Sequence, residues 1–169
     1  MRERLSVWRE KARIFSRLAP WERGLLAGVV LRLPVLALGV RLLGFQRTWR
    51  LLAWFAQPRA VVENVAESRG RAVRIAGLAA MARRNLPFRA GCLADSLALW
   101  WALRRCGLPG RLRIGVRKGQ GAVGGDSLQA HAWVEFAGTV LNDRPDVAER
   151  YAVFAPAIDE LVVLGGGEH

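Results

Sequence analysis

The sequence predicts an α+β fold in which a helical N-terminal half precedes a small antiparallel sheet. The first half is apolar and basic and shows no strand-like alternation up to about residue 84. After Leu86-Pro87 the pattern changes, and short strand-like segments alternate with glycine-containing turns. The 169 residues can bury a substantial core. We place a domain boundary between a helical region at 1–57 and a core at 58–169.

The N-terminal half is expected to contain several helices. Proline in the first turn favours a helix over about 20–44, with a kink near Pro34. A shorter helix, capped by Thr48, is expected to end at Phe55. A further helix covers about 60–84, although two glycines weaken it.

The stretch from Leu25 to Leu43 is strongly apolar, but Arg32 and Pro34 interrupt its centre. A charge at mid-bilayer costs at least about 2.5–3.5 kcal/mol, and each uninterrupted piece is shorter than the roughly 20 residues that a membrane span needs. We therefore expect a helix that is buried or faces a partner. Peripheral membrane contact stays open as an alternative. The N-terminus carries no secretory signal pattern, so the expected compartment is the cytoplasm.

The positive charge is concentrated in the first half. Residues 1–84 carry 17 Lys and Arg against 5 Glu and no Asp, whereas residues 85–169 carry 9 of each sign. This asymmetry indicates an acidic partner, a membrane surface or nucleic acid, with an ordinary solvated basic surface as an equal alternative. Trp21, Trp49 and Trp54 are candidates for an exposed docking surface in this half; alternatively, they fill the helical core.

Two cysteines are too few for a disulfide framework. Cys92 and Cys106 lie 14 residues apart on one predicted helix, which separates them by roughly 21 Å at 1.5 Å per residue. A disulfide needs Cα atoms within about 7 Å, so both thiols should stay reduced. Two cysteines at this spacing and one internal histidine also do not match a zinc site, and we expect neither a metal nor a cofactor.

The second half is expected to contain one helix and three strands. The apolar positions of Cys92 to Arg105 fit a helix that ends before Gly107. Strands are expected at Arg111–Arg117, Leu128–Phe136 and Thr139–Asp143. The long glycine-rich segment Gly119–Gly125 reads as a loop that either shapes a substrate cleft or is a tolerated insertion.

Cys92 is the candidate nucleophile because it begins the predicted helix. The helix dipole and the unpaired N–H groups of the first turn favour a thiolate there, and the same N–H groups can stabilise an oxyanion. The alternative is a small buried hydrophobic residue, which fits Cys106 better.

His131 is the candidate base, and Asp143 is the candidate that orients it. His131 shares a strand face with Gln129 and Trp133, which are candidate substrate-binding residues, although Trp133 is more readily explained by packing. A three-residue hairpin loop at 136–138 would pair His131 with Asp143 on one face. A two-residue loop would put Asp143 on the other face, so this prediction depends on the register. Together the three side chains are the parts of a cysteine acyl-transfer site.

Four sequence blocks resemble the transglutaminase-like leader peptidases of lasso-peptide biosynthesis. These blocks are residues 92–99 (CLADSLAL), 103–118 (LRRCGLPGRLRIGVRK), 130–135 (AHAWVE) and 140–143 (VLND), within roughly residues 72–151. The resemblance implies a papain- or transglutaminase-like core, with the nucleophile helix packed on a small antiparallel sheet. It also implies that Cys92, His131 and Asp143 are the nucleophile, the base and the orienting acid.

The resemblance further implies a substrate and partners. The substrate is a ribosomally made precursor peptide whose leader is removed, so that a separate cyclase can use the freed amine. A small leader-binding protein would present the precursor, and we do not expect a nucleic-acid partner. Two alternatives remain: an acyltransferase or amidase that uses the same triad, and a non-catalytic adaptor that binds a membrane surface or nucleic acid through the basic half.

Overall fold

A computed structural model describes residues 15–56, 65–120 and 126–154 of the chain. The elements, in chain order, are helices α1 (Pro20–Phe55), α2 (Val65–Asn85) and α3 (Cys92–Arg105), strands β1 (Arg111–Gln120), β2 (Asp126–Phe136) and β3 (Thr139–Val140), the short helix α4 (Val147–Arg150) and strand β4 (Ala152–Val153). The predicted α+β class is confirmed. Most of the glycine-rich loop and the start of the helix predicted over 60–84 lie outside the described residues.

Helix α1 begins as the sequence predicts but is interrupted at a different residue. Pro20 occupies its first turn, and the Glu22 carboxylate accepts a hydrogen bond from the Ala19 N–H at 2.8 Å. Its one residue with non-helical dihedral angles is Gly44, at φ +78°, rather than Pro34. The predicted cap at Thr48 is wrong, because its hydroxyl donates to the carbonyl of Gly44 one turn earlier, at 2.8 Å. Thr48 therefore lies within the helix.

Helix α3 is the centre of the core. Every residue from Ser96 to Leu103 is buried, because α1, α2 and the sheet all pack against this helix. Trp49 of α1 is only 3% exposed, and its ring lies 4.4 Å from that of Trp100. Trp49 therefore fills the helical core and is not part of an exposed docking surface, whereas Trp21 and Trp54 are exposed.

The sheet has the order β3-β2-β1-β4, and all of its pairs are antiparallel. The predicted hairpin register is wrong by one residue. Glu135 pairs with Val140, so the loop has two residues, Ala137 and Gly138, both with positive φ. This turn geometry matches the natural twist of the two strands. The pairing also ends at Val140, three residues before the predicted end of the strand.

Gly115 allows the segment at residues 151–153 to approach the sheet closely. It pairs with His131 on one side and with Val153 on the other. A Cβ at this position would lie 2.8 Å from the Cβ of Tyr151 and 3.2 Å from the carbonyl oxygen of Ala152. Because the backbone contributes to this contact, the crowding cannot be relieved by rotating a side chain.

We predict that Gly115→Ala lowers the free energy of unfolding by about 1–3 kcal/mol through overpacking. Gly77→Ala is the matched control, since Gly77 is exposed on α2 and a Cβ there meets nothing within 4 Å. This control should raise the free energy of unfolding by up to about 1 kcal/mol, as alanine favours a helix over glycine. Urea denaturation measures both, and equal effects of the two substitutions would contradict the packing argument.

Candidate active site

Cys92, His131 and Asp143 line a single cavity of about 860 Å³. Its walls come from α1, α2, α3, β2, the segment before α3 and the segment after β3. The three predicted site residues are thus brought together although they are up to 51 positions apart in the sequence. A volume of this size is in the range of small-molecule and peptide side-chain pockets.

Cys92 is the first residue of α3, as predicted. Gly91, at φ +80°, precedes the helix, and its carbonyl accepts the hydrogen bond from the Asp95 N–H at 3.1 Å. The N–H groups of the first turn have no acceptor within the helix, so they and the helix dipole favour negative charge beside the cavity. Cys106 lies at the opposite end of α3 and packs against the hydrophobic core. Cys92 and Cys106 are not joined by a disulfide.

His131 lies on β2 and is held on one edge by Asp143. Its Nε2 atom is hydrogen-bonded to Oδ2 of Asp143. Its ring stacks on Tyr151 at 5.1 Å between centroids and, less closely, on Trp133 at 6.3 Å. Since Nε2 is engaged, Nδ1 is the ring nitrogen left for exchanging a proton with a group in the cavity.

Asp143 reaches His131 by a route other than the predicted strand pairing. The Leu141 N–H still donates to Val134 at 2.9 Å, but the chain then bends at 141–143. Burial favours a higher pKa for Asp143, yet the hydrogen bonds from His131 and from the Arg144 N–H, with the charges of His131 and Arg150, hold it below its usual value. An ionised Asp143 accepts a hydrogen bond from Nε2–H, which fixes the ring tautomer.

Ser96, which is buried, and Asn142 form a hydrogen-bonded network that the sequence analysis missed. The Ser96 hydroxyl, one turn after Cys92, donates to the carbonyl of Ala132 at 2.9 Å and accepts from Nδ2 of Asn142 at 2.9 Å. Oδ1 of Asn142 accepts from the Val134 N–H at 2.8 Å. The network joins α3 to the residues beside His131 and Asp143. A fully buried serine on the apolar face of α3 was the signal that could have identified it.

The two candidate substrate-binding residues do not line the cavity. Trp133 is fully buried, and its indole N–H donates to Glu135 at 2.8 Å. The Gln129 side-chain oxygen accepts from Arg117 at 2.9 Å, and the Arg117 guanidinium lies 4.9 Å over the ring of Tyr151. Both residues therefore support the aromatic surroundings of His131 from outside the cavity.

Asp95 is a cavity residue that the sequence analysis also missed. It lies one turn after Cys92, and burial raises its pKa to about 6, against an opposing effect of Arg83, whose Nε atom is 3.7 Å away. Oδ1 of Asp95 is buried with no hydrogen-bond donor among the described residues. A carboxyl group that is costly to ionise and faces an active-site cavity is a candidate functional residue.

The rest of the cavity combines an apolar wall with cationic side chains. Val29 and Leu33 of α1 and Ala76, Ala79 and Ala80 of α2 supply aliphatic surface, and Arg83, Arg84 and Arg89 supply positive charge. Such a lining suits a peptide segment that places an apolar side chain against the alanines and a carboxylate or carbonyl near the arginines. Within the described ranges, no group of three His, Cys, Asp or Glu side chains could hold a metal ion.

A family model described as the transglutaminase-like superfamily matches residues 39–155. This range covers more than two thirds of the chain and includes α3, the sheet and all three predicted site residues. Neither the curated proteins nor the solved structures contain a significant match to the chain. The family assignment therefore stands on the family model together with the geometry of the fold and the cavity.

We predict that Asp95→Asn stabilises the protein above about pH 6. Because folding raises the pKa of Asp95 from 3.8 to about 6, its contribution to stability is intact below about pH 4 and is lost as the pH rises through 6. Asparagine mimics the neutral carboxyl group at every pH. The difference in free energy of unfolding from the unmodified protein should grow from near zero at pH 4 to roughly 1–3 kcal/mol at pH 7.5.

Urea denaturation across this pH range measures that difference. Asp146→Asn is the matched control, because the Asp146 side chain is 40% exposed and, among the described residues, pairs with the exposed Arg144 alone. It should change stability by less than about 1 kcal/mol at any pH. A variant at Asp95 that is less stable than the unmodified protein at pH 7.5 would show that the ion pair with Arg83 outweighs the cost of burial.

Proposed function

The chain belongs to the transglutaminase-like superfamily, and we propose that it is a cysteine peptidase that removes the leader from a ribosomally made lasso-peptide precursor. The observation that carries the proposal is the hydrogen-bonded His131–Asp143 pair in the same cavity as Cys92, at the start of α3. The superfamily membership supports thiol acyl-transfer chemistry in general. The four sequence blocks that resemble lasso leader peptidases support the narrower choice of substrate.

In the proposed mechanism, His131 takes the proton of the Cys92 thiol on Nδ1, and the thiolate attacks the carbonyl carbon of the last leader residue. The N–H groups of the first turn of α3 stabilise the resulting oxyanion. The protonated imidazole then gives its proton to the amide nitrogen of the core peptide, which leaves as a free amine. The leader stays attached to Cys92 as a thioester.

Water completes the cycle. His131 removes a proton from water as the water attacks the thioester, and the Cys92 sulfur leaves and is reprotonated from the imidazolium. The leader departs with a free carboxylate. Throughout, Asp143 holds the ring tautomer and stabilises the imidazolium, in keeping with its lowered pKa.

The proposal includes the partners that such a pathway requires. A small leader-binding protein delivers the precursor, with the N-terminal region 1–57 as its predicted docking region, and a cyclase consumes the freed core peptide. All of these steps are assigned to the cytoplasm, where reduced thiols such as Cys92 and Cys106 persist. The arginines beside the cavity support a peptide substrate, since they can bind its carbonyl or carboxylate oxygens.

An acyltransferase or amidase using the same three residues is the second candidate, because superfamily membership fits it equally well. The two differ in the acceptor of the acyl group. In water enriched in ¹⁸O, a peptidase labels the new carboxylate of the leader with one heavy oxygen. An acyltransferase with an added amine instead yields an unlabelled leader amide. Mass spectrometry of the released leader separates these outcomes.

We predict that Cys92→Ala abolishes leader cleavage without unfolding the protein, because no other group can form the thioester. The assay is mass spectrometry of a precursor peptide encoded beside this chain's gene, incubated with the full-length protein and the leader-binding protein. Cys106→Ala is the matched control on the same helix and should retain cleavage, since Cys106 lies at the far end of α3. Cleavage by a folded Cys92→Ala variant would show that Cys92 is not the nucleophile and would reject both candidate functions.

We predict that Asp143→Asn lowers the cleavage rate about 10²–10⁴-fold, because an amide stabilises neither the required tautomer nor the imidazolium. Circular dichroism checks that the variant is folded. The nearby Asp146→Asn should cleave at the normal rate, as Asp146 pairs with Arg144 and not with His131. Equal rates for the two variants would show that the His131–Asp143 contact has no part in the reaction.

A further inference from the structure

Helix α1 carries an aliphatic face that nothing in the described structure covers. Leu31, Val35, Leu38 and Leu42 follow one another at helical spacing and are 56–70% exposed. We call these four side chains the open face. They lie opposite the buried positions of the same helix, which include Val29 and Leu33. A face of this kind on a soluble monomer usually marks an interaction surface.

Cationic and aromatic side chains flank the open face along the chain. Arg41, Arg47 and Arg50 are exposed, and none of them pairs with a carboxylate among the residues that the structure describes. Trp21 lies near the start of α1, and Trp54 lies near its end, where it is 69% exposed. Aliphatic surface bordered by tryptophan and arginine is the composition of helices that bind at the membrane–water interface.

We propose that the open face of α1 docks the protein on the surface of an anionic lipid membrane. In this arrangement α1 lies in the plane of the interface. The four aliphatic side chains insert among the acyl chains, and Arg41, Arg47 and Arg50 contact the lipid phosphates. The net charge of +12, all of it in residues 1–84, is complementary to such a surface.

Peripheral binding fits the packing of α1 better than a membrane span does. By length and composition alone, α1 could cross a membrane, with a mean hydropathy of 2.0 in its most apolar window. However, its other face packs on α3, and Glu22, which is buried, forms an ion pair with Arg74 of α2 at 2.7 Å. Only one side of the helix is thus available to lipid.

Membrane docking leaves the cavity open. Val29 and Leu33, on the buried side of α1, form part of the cavity wall. The helix therefore separates the proposed lipid contact from Cys92 and His131. The docking proposal does not depend on the proposed peptidase function, since it rests on the outer face of α1 alone.

Vesicle flotation of the full-length protein tests the proposal. Vesicles of phosphatidylcholine with about 30% phosphatidylglycerol should carry the protein upward, whereas pure phosphatidylcholine vesicles should carry at least tenfold less. Raising the salt from about 50 to 500 mM should weaken the binding, since salt screens the arginine–phosphate attraction. Equal flotation with both vesicle types would overturn the anionic requirement. If the protein stays bound to the vesicles at high salt and after carbonate extraction, α1 spans the membrane and the proposal of peripheral binding fails.

Introducing negative charge on the open face provides the decisive comparison. The double variant Leu31→Glu/Leu42→Glu should lose at least tenfold in vesicle binding. The matched control is Leu128→Glu on β2, where the leucine is 75% exposed, and it should bind as the unmodified protein does. Equal loss in both, or in neither, would overturn the proposal. If the double variant instead converts a dimer to a monomer, or loses only a protein partner, a protein covers the face and the proposal fails.

Thermal unfolding and a catalytically inactive variant serve as independent readouts. The double variant should retain the normal thermal unfolding temperature, because its substitutions lie on the solvent side of α1. Lost flotation at an unchanged unfolding temperature supports docking through this face, and intact flotation in the Cys92→Ala variant shows that docking is separate from catalysis. Loss of flotation together with a lowered unfolding temperature would show that the open face is part of the core, and the proposal fails.

Discussion

The buried hydroxyl of Ser96 is the contact on which the geometry of the site depends. It links helix α3 to strand β2 through Ala132 and to the end of the hairpin through Asn142. The helix brings Cys92, the strand brings His131, and the segment after Asn142 brings Asp143. The Ser96 hydroxyl is fully buried, so losing its partners leaves it unsatisfied at a cost of about 1–3 kcal/mol. Such a network fixes relative positions more firmly than apolar contact alone.

A series of side-chain contacts fixes the surroundings of His131. The ring stacks on Tyr151, Tyr151 lies under the guanidinium of Arg117, and Gln129 binds that guanidinium. Gly115 makes room for this arrangement because its missing side chain lets Tyr151 approach the sheet. The polar face of β2 is therefore a support for the imidazole, while the cavity itself opens between α1, α2 and the start of α3.

The two sides of helix α1 face different environments. One side buries aliphatic residues against α3 and contributes Val29 and Leu33 to the cavity, and the other side exposes Leu31, Val35 and Leu38. A helix that is apolar all round is normally surrounded by protein or lipid. This explains why the sequence of α1 resembles a membrane span although one of its sides belongs to the protein core.

The sequence by itself determined the types of the longer elements and the bounds of α3, and it identified Cys92, His131 and Asp143 as candidates for one site. The elements depend on local periodicity and on helix capping, whereas the candidates came from the helix start, the single internal histidine and the family resemblance. The short elements α4 and β4 were not predicted. The tertiary structure decided how Asp143 reaches His131. The predicted register failed by one residue, because a glycine turn of two or three residues leaves the same local pattern, and the contact arises instead from a bend held by Asn142.

The burial of Asp95 and Trp49 was also decided only by the tertiary structure. An aspartate in the first turn of a helix and a tryptophan among arginines both suit solvent when judged from their sequence neighbours. Asp95 is partly buried because the surrounding cavity walls come from other elements, and Trp49 is buried because Trp100 of α3 lies against it. Sequence pattern reports the chain's local preferences, whereas desolvation depends on what distant segments place around a side chain.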